Sequence, residues 1–66
     1  MASLLEIGSA IQAARKENGL TQDQLAALAG ISERTLRSIE AGCGNPSFSA
    51  VLSTAEILGL KIAVER

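Results

Sequence analysis

The chain has no histidine, tryptophan or tyrosine, and only one cysteine, one proline and one phenylalanine among its 66 residues. Each shortage removes a class of function. Without histidine there is no Cys/His metal site and no imidazole to act as general base, and a lone thiol, Cys43, closes no internal disulfide. Cys43 also has no cationic neighbour in sequence to activate it, so it reads as incidental. No apolar run approaches the roughly 18 residues of a membrane span, and Met1-Ala2-Ser3 lacks the basic start of a signal peptide. A cytoplasmic chain without a membrane partner is the expectation. No nucleophile stands beside a base, no element carries paired carboxylates, and Gly42-Cys43-Gly44 lacks the Gly-Lys-Ser/Thr that completes a P-loop. Neither an enzyme nor a cofactor is expected.

A basic excess is missing too: six Lys and Arg stand against seven Asp and Glu, for a net charge of −1. Four of the six cations, Arg15, Lys16, Arg34 and Arg37, lie in the first two-thirds, but Glu17, Asp23, Glu33 and Glu40 are interspersed with them. Lys16 reads as a solvated charge that helps steering. If the partner is nucleic acid, non-specific affinity should be modest, with helix N-termini and backbone amides carrying much of the phosphate contact.

What is abundant is aliphatic. Hydrophobic residues make up 47% of the chain, so the core must be built from Leu, Ile, Val and Ala, which suits close-packed helices. A domain this small buries only about 60% of its unfolded surface, so a second subunit would help it.

The punctuation predicts four helices. Ser3-Leu4-Leu5-Glu6 has the spacing of a capping box, and the first helix should run to about Asn18, with Gly19 as its stop. Ile7, Ile11 and Ala14 face inward on it, and Arg15 borders that stripe, placed to reach across the core. The second helix follows the cap Thr21 and spans about Gln22 to Ala29; the third spans about Glu33 to Ala41. Gly42 to Pro46 is a loop by composition. Ser47 then caps a fourth helix whose buried stripe should be Phe48, Val51, Leu52, Ala55 and Leu58, with Gly59 ending it. Leu28 and Ile57 fall off these stripes, as ordinary exposed residues or as part of a subunit or partner interface.

Helices two and three are spaced as a helix-turn-helix. Ala26 is small where the two would cross, Gly30 can take the positive φ that ends the first of them, Ile31 plugs the turn and Ser32 caps the second. Leu36 and Ile39 return to the core, while Glu33, Arg34, Arg37, Ser38 and Ala41 point elsewhere. A helix with such a polar face fits a major groove. Arg34, near the centre of that face, reads either as a guanine reader through O6 and N7 or as a solvated arginine. Glu33 reads as a helix-dipole partner or as an acceptor from cytosine N4, and Arg37 as a phosphate or a base contact.

Leu60 to Glu65 differs in kind. Leu60-Lys61-Ile62-Ala63-Val64-Glu65 alternates at period two and is rich in β-branched side chains, the pattern of a strand. A lone strand leaves backbone groups unpaired, so its partner should be the same strand of a second subunit; the other reading is a frayed tail.

From Ile11 to Leu60 the chain resembles the Cro/C1-type, or Xre, helix-turn-helix family. The resemblance is carried by Arg15, Leu20-Thr21-Gln22, Leu25-Ala26, Ala29-Gly30-Ile31-Ser32, Thr35-Leu36, Ile39-Glu40, Gly42, Pro46-Ser47-Phe48, Leu52, Ala55 and Leu58-Gly59-Leu60. It implies an all-α, lambda-repressor-like four-helix domain over residues 1–59; the strand read from the alternation would follow it as a C-terminal dimerisation segment over 60–66. It also implies a DNA site made of Thr21, Gln22, Ser32, Glu33, Arg34, Thr35, Arg37, Ser38, Asn45 and Ser47, and a structural salt bridge between Arg15 and Glu40. The loop from Gly42 to Ser47 lacks the basic residues the family often places there, leaving amides, Asn45 and Ser47.

The short chain ending in one strand further resembles the HipB-type antitoxins. That likeness implies a homodimer joined through Leu60, Lys61, Ile62, Ala63, Val64 and Glu65, an inverted-repeat operator on double-stranded DNA, and a HipA-like kinase toxin as partner. A stand-alone repressor of the same fold, and an interaction module that has lost DNA binding, are the alternatives.

Overall fold

In a computed structural model of the chain, residues 3–60 are described. They form α1 (Leu4–Glu17), α2 (Gln22–Ala29), α3 (Glu33–Ala41) and α4 (Phe48–Ile57), with no strand among the described residues. Local chemistry sets these limits. Ser3, Thr21, Ser32 and Ser47 each accept a hydrogen bond from the backbone N–H three residues on, satisfying an orphan donor at every helix start. Thr21 forms a full capping box, because Gln24 Oε1 accepts the Thr21 N–H at 2.9 Å. The box expected at Ser3 is only half made: Glu6 Oε1 lies 3.5 Å from the Ser3 hydroxyl, not on its backbone N–H.

α3 packs against both α1 and α2, and α4 packs against α2. Ile11, Leu25, Ala26, Leu36, Ile39 and Val51 form the buried centre, with Ile7, Leu20, Ile31, Ala50, Leu58 and Leu60 packed around it. Ala14 and Leu52, expected inside, are half-buried.

Phe48 corrects the expected stripe, since it is 59% exposed. It is in phase with Val51 and Ala55 but is the first residue of α4, so the neighbouring helices leave it largely uncovered. The position that completes the stripe is instead Thr54, fully buried. Its hydroxyl donates to the Ala50 carbonyl at 2.8 Å, so a polar side chain sits in the core without an unpaired group.

Gly8 is buried in the middle of α1 where α1 crosses α3. A Cβ built there would lie 2.2 Å from the carbonyl oxygen of Ile39 and 2.8 Å from that of Glu40. The two backbones touch, and only glycine permits it.

The expected strand lies outside the described residues apart from Leu60, whose N–H donates to the Ala55 carbonyl at 2.9 Å and whose side chain packs on the core.

Candidate nucleic-acid interface

Three residues set the angle between α2 and α3. Gly30, at φ 72°, ends α2 in the left-handed region, and its N–H returns to the Ala26 and Ala27 carbonyls. The Ile31 N–H then reaches the Ala26 carbonyl at 3.0 Å while its side chain packs on the core. Ser32 starts α3 by accepting the Thr35 N–H at 3.0 Å, and its hydroxyl donates to Thr35 Oγ1 at 2.9 Å. Of the residues proposed to meet DNA, Ser32 and Thr35 are therefore already bonded to each other.

Leu36, Ile39 and Glu40 are the buried face of α3; Arg34 and Arg37 are exposed, and Glu33, Thr35 and Ser38 are half-buried beside them. The charges on the open side are not equivalent. Arg37 Nη2 lies 3.2 Å from Glu33 Oε1 one turn earlier, whereas Arg34 has no ion-pair partner among the described residues. Arg34, Thr35 and Ser38 form one wall of an open cleft of about 210 Å³, and Asn45 and Pro46 form the other. The loop is drawn to α3 by the Cys43 N–H, which donates to the Ser38 carbonyl at 3.1 Å. Asn45 thus shares one recess with Arg34, Thr35 and Ser38 of α3. Ser47 stands at the start of α4 as its cap, accepting the Ala50 N–H at 3.1 Å. Cys43 is exposed and free.

Behind this surface lies a buried polar bracket. Arg15 Nε donates to Glu40 Oε2 at 2.7 Å and Nη2 donates to Oε1 at 3.2 Å, a two-point contact. The two side chains are only 10% and 2% exposed. Arg15 Nη1 also donates to the Leu20 carbonyl at 2.9 Å, and Gln22 Nε2 donates to Glu40 Oε1 at 3.1 Å. One carboxylate thus ties α1, the start of α2 and α3 together, and no buried side-chain polar atom among the described residues lacks a partner. Gln22, placed in the DNA site by the family resemblance, has turned its amide inward and gives one of its two N–H donors to Glu40. Sequence spacing gave no sign of this, since the contact spans 18 positions.

Leu28 and Ile57 are 58% and 45% exposed, and with Ala29, Ser53 and Glu56 they border a shallow depression on the side formed by α2 and α4. No helix among the described residues is long and apolar enough to cross a membrane, and no group of potential metal ligands occurs among them.

Four short helices, with the second and third locked at a glycine turn and a polar helix face turned outward, define a helix-turn-helix DNA-binding domain. The comparisons with known proteins agree: residues 11–64 match the HTH_3 helix-turn-helix family, and the chain belongs to this Xre-type family of DNA-binding transcriptional regulators, which are not enzymes. It is 41% identical over 59 residues to the immunity repressor protein of Bacillus phage phi105, covering 89% of this chain but only 41% of that protein. An HTH-type transcriptional regulator of Sinorhizobium fredii is 36% identical over 59 residues, 89% of this chain and 78% of its own length. Among solved structures, the restriction-modification controller protein C.AhdI from Aeromonas hydrophila is similar at a TM-score of 0.78 and 29% identity, covering 88% of each chain. A chain of the HipA-HipB-O2-O3 complex shares the fold at a TM-score of 0.83 and 24% identity, covering 100% of this chain and 93% of that one.

Proposed function

We propose that the chain is a homodimeric, sequence-specific repressor that binds an inverted-repeat operator through α3, and that it is the antitoxin partner of a HipA-type kinase toxin. The observation that carries the DNA reading is Arg34: it is exposed on the recognition helix, unpaired among the described residues, and beside a recess holding Thr35, Ser38 and Asn45. Its guanidinium reads guanine through O6 and N7, the commonest direct contact in a major groove. Thr21, Gln22, Ser32 and Ser47 stand at helix starts, where the dipole and amide groups favour phosphate. The fold shared with a chain of the HipA-HipB-O2-O3 complex and the strand-like segment from Leu60 to Glu65 support the antitoxin reading. The similarity to a phage immunity repressor favours a second reading, a repressor with no toxin partner. Co-purification from the native operon separates the two: a kinase-sized partner recovered with the operator DNA supports the first, and DNA alone the second.

Arg34→Ala should weaken binding to the best operator by about 1–3 kcal/mol and flatten discrimination at one base position. Binding isotherms on a set of single-base operator variants provide the check. Equal losses on operator and random DNA would assign Arg34 to phosphate.

The dimer we propose pairs Leu60 to Glu65 antiparallel about an axis at Ala63, separating the two recognition helices by roughly one DNA turn, about 34 Å. In that register Lys61 faces Glu65 of the other chain and Ile62 faces Val64. Lys61→Glu should weaken the dimer in sedimentation experiments, and adding Glu65→Lys should restore it. A dimer that survives deletion of residues 60–66 would reject strand-mediated assembly.

A further inference from the structure

The pairing of Glu33 with Arg37 assigns the recognition helix a second kind of selectivity. We propose that Glu33 is a specificity-determining residue that withholds the Arg37 cation from phosphates on non-cognate DNA and releases it when a base amino group takes its place. This rests on the DNA-binding reading above.

The geometry is simple. Glu33 opens α3 and Arg37 follows one turn later, with Arg37 Nη2 at 3.2 Å from Glu33 Oε1 and the arginine side chain 63% exposed against 39% for the glutamate. The carboxylate is not used by the helix cap, which is built from Ser32 and Thr35. The whole chain carries one more acid than base, and α3 has only two cations, Arg34 and Arg37, for the groove. Half of that positive charge is therefore offset by Glu33 in the free protein.

On random DNA, Arg37 reaches a phosphate only by leaving Glu33, and the bared carboxylate then faces a polyanion. Both effects oppose binding. At a site that presents cytosine N4–H₂ or adenine N6–H₂ opposite Glu33, the carboxylate accepts from the base and Arg37 is freed without a bare negative charge. Base recognition and phosphate grip are thereby linked through one ion pair. An exposed pair of this kind is weak by itself, so the linkage acts as a modest bias on each encounter. It matters because non-specific sites vastly outnumber an operator.

The test measures salt dependence. Wild type, Glu33→Gln, Arg37→Gln and the double variant are titrated onto a random-sequence 30-base-pair duplex and onto a duplex selected by the wild type from a random library. Circular dichroism verifies that each variant keeps its helices. Glu33→Gln should tighten random-DNA binding about 3–10-fold, and should steepen the slope of log K against log salt by about 0.9, the signature of one added phosphate contact. Selectivity should fall by a similar factor. In the Arg37→Gln background the same Glu33 change should leave the slope unaltered. An unchanged slope in the single variant overturns the proposal, and so does an equal steepening in the Arg37→Gln background, which would mean simple repulsion by Glu33. Wild type that selects no sequence and shows no salt-dependent binding overturns the DNA reading itself, and this proposal with it.

Discussion

Glu40→Ala should destabilise the domain by about 3–5 kcal/mol, because it strands a buried guanidinium. Arg15 would keep its bond to the Leu20 carbonyl, but its Nε and Nη2 groups would face a cavity, and the Gln22 amide would lose its acceptor as well. Total stability for a chain this short is only on the order of 0.05–0.15 kcal/mol per residue, so the loss removes a large part of it. A melting temperature lower by roughly 15 °C or more follows for a domain of this size. Glu40→Gln should lose less, since its amide oxygen still accepts one of the donors. Replacing both partners by apolar residues, Arg15→Met with Glu40→Leu, should recover much of the loss, because no charge is then left buried and unpaired. Thermal denaturation of the four proteins decides it. A drop equivalent to under about 1 kcal/mol for Glu40→Ala would place the pair with exposed surface bridges.

That network marks where the sequence was readable and where it was not. The limits of α2 and α3 were legible because their signals are local: Thr21 and Ser32 cap from outside, and Gly30 and Gly42 take the left-handed φ that ends each helix. The juxtaposition of Arg15 with Glu40 came from the family resemblance and from helical phase. Gln22 was harder, because a side chain at a helix start can turn outward to a ligand or inward to a partner, and only the position of Glu40 decides which. Phe48 failed for a different reason. Periodicity gives the direction in which a residue points but not how far the core extends along the helix, and Phe48 stands at its edge. Thr54 was invisible to a pattern of apolar residues, since its hydroxyl is satisfied within its own helix. Among the candidate site residues, the pairing of Glu33 with Arg37 was missed although their four-residue spacing permits it, while the shared recess of Asn45 and Arg34 depends on how the loop folds back on α3.

Gly8→Ala should destabilise the domain through a single added methyl group. Glycine in a helix interior normally gives way to alanine with a gain of about 1 kcal/mol, because alanine restricts the unfolded chain and suits the helix. At Gly8 the sign reverses. The new Cβ would fall 2.2 Å from the Ile39 carbonyl oxygen and 2.8 Å from that of Glu40, and both obstacles are backbone. A side chain could rotate away; a helix cannot, so α1 and α3 must separate. Their separation would disturb the packing around Ile11 and Ile39 and lengthen the contact between Arg15 and Glu40, which bridge the same two helices. Overpacking of this kind costs typically 1–3 kcal/mol in a core where side chains yield, so a net loss of about 2–3 kcal/mol is expected here after the propensity gain. The melting temperature should fall by about 10–20 °C. Gly19→Ala serves as the contrast, since that glycine has nothing within 4 Å and is strained only by its φ of 68°. If Gly8→Ala melts at or above the wild-type temperature, α1 does not cross α3 with its backbone in contact.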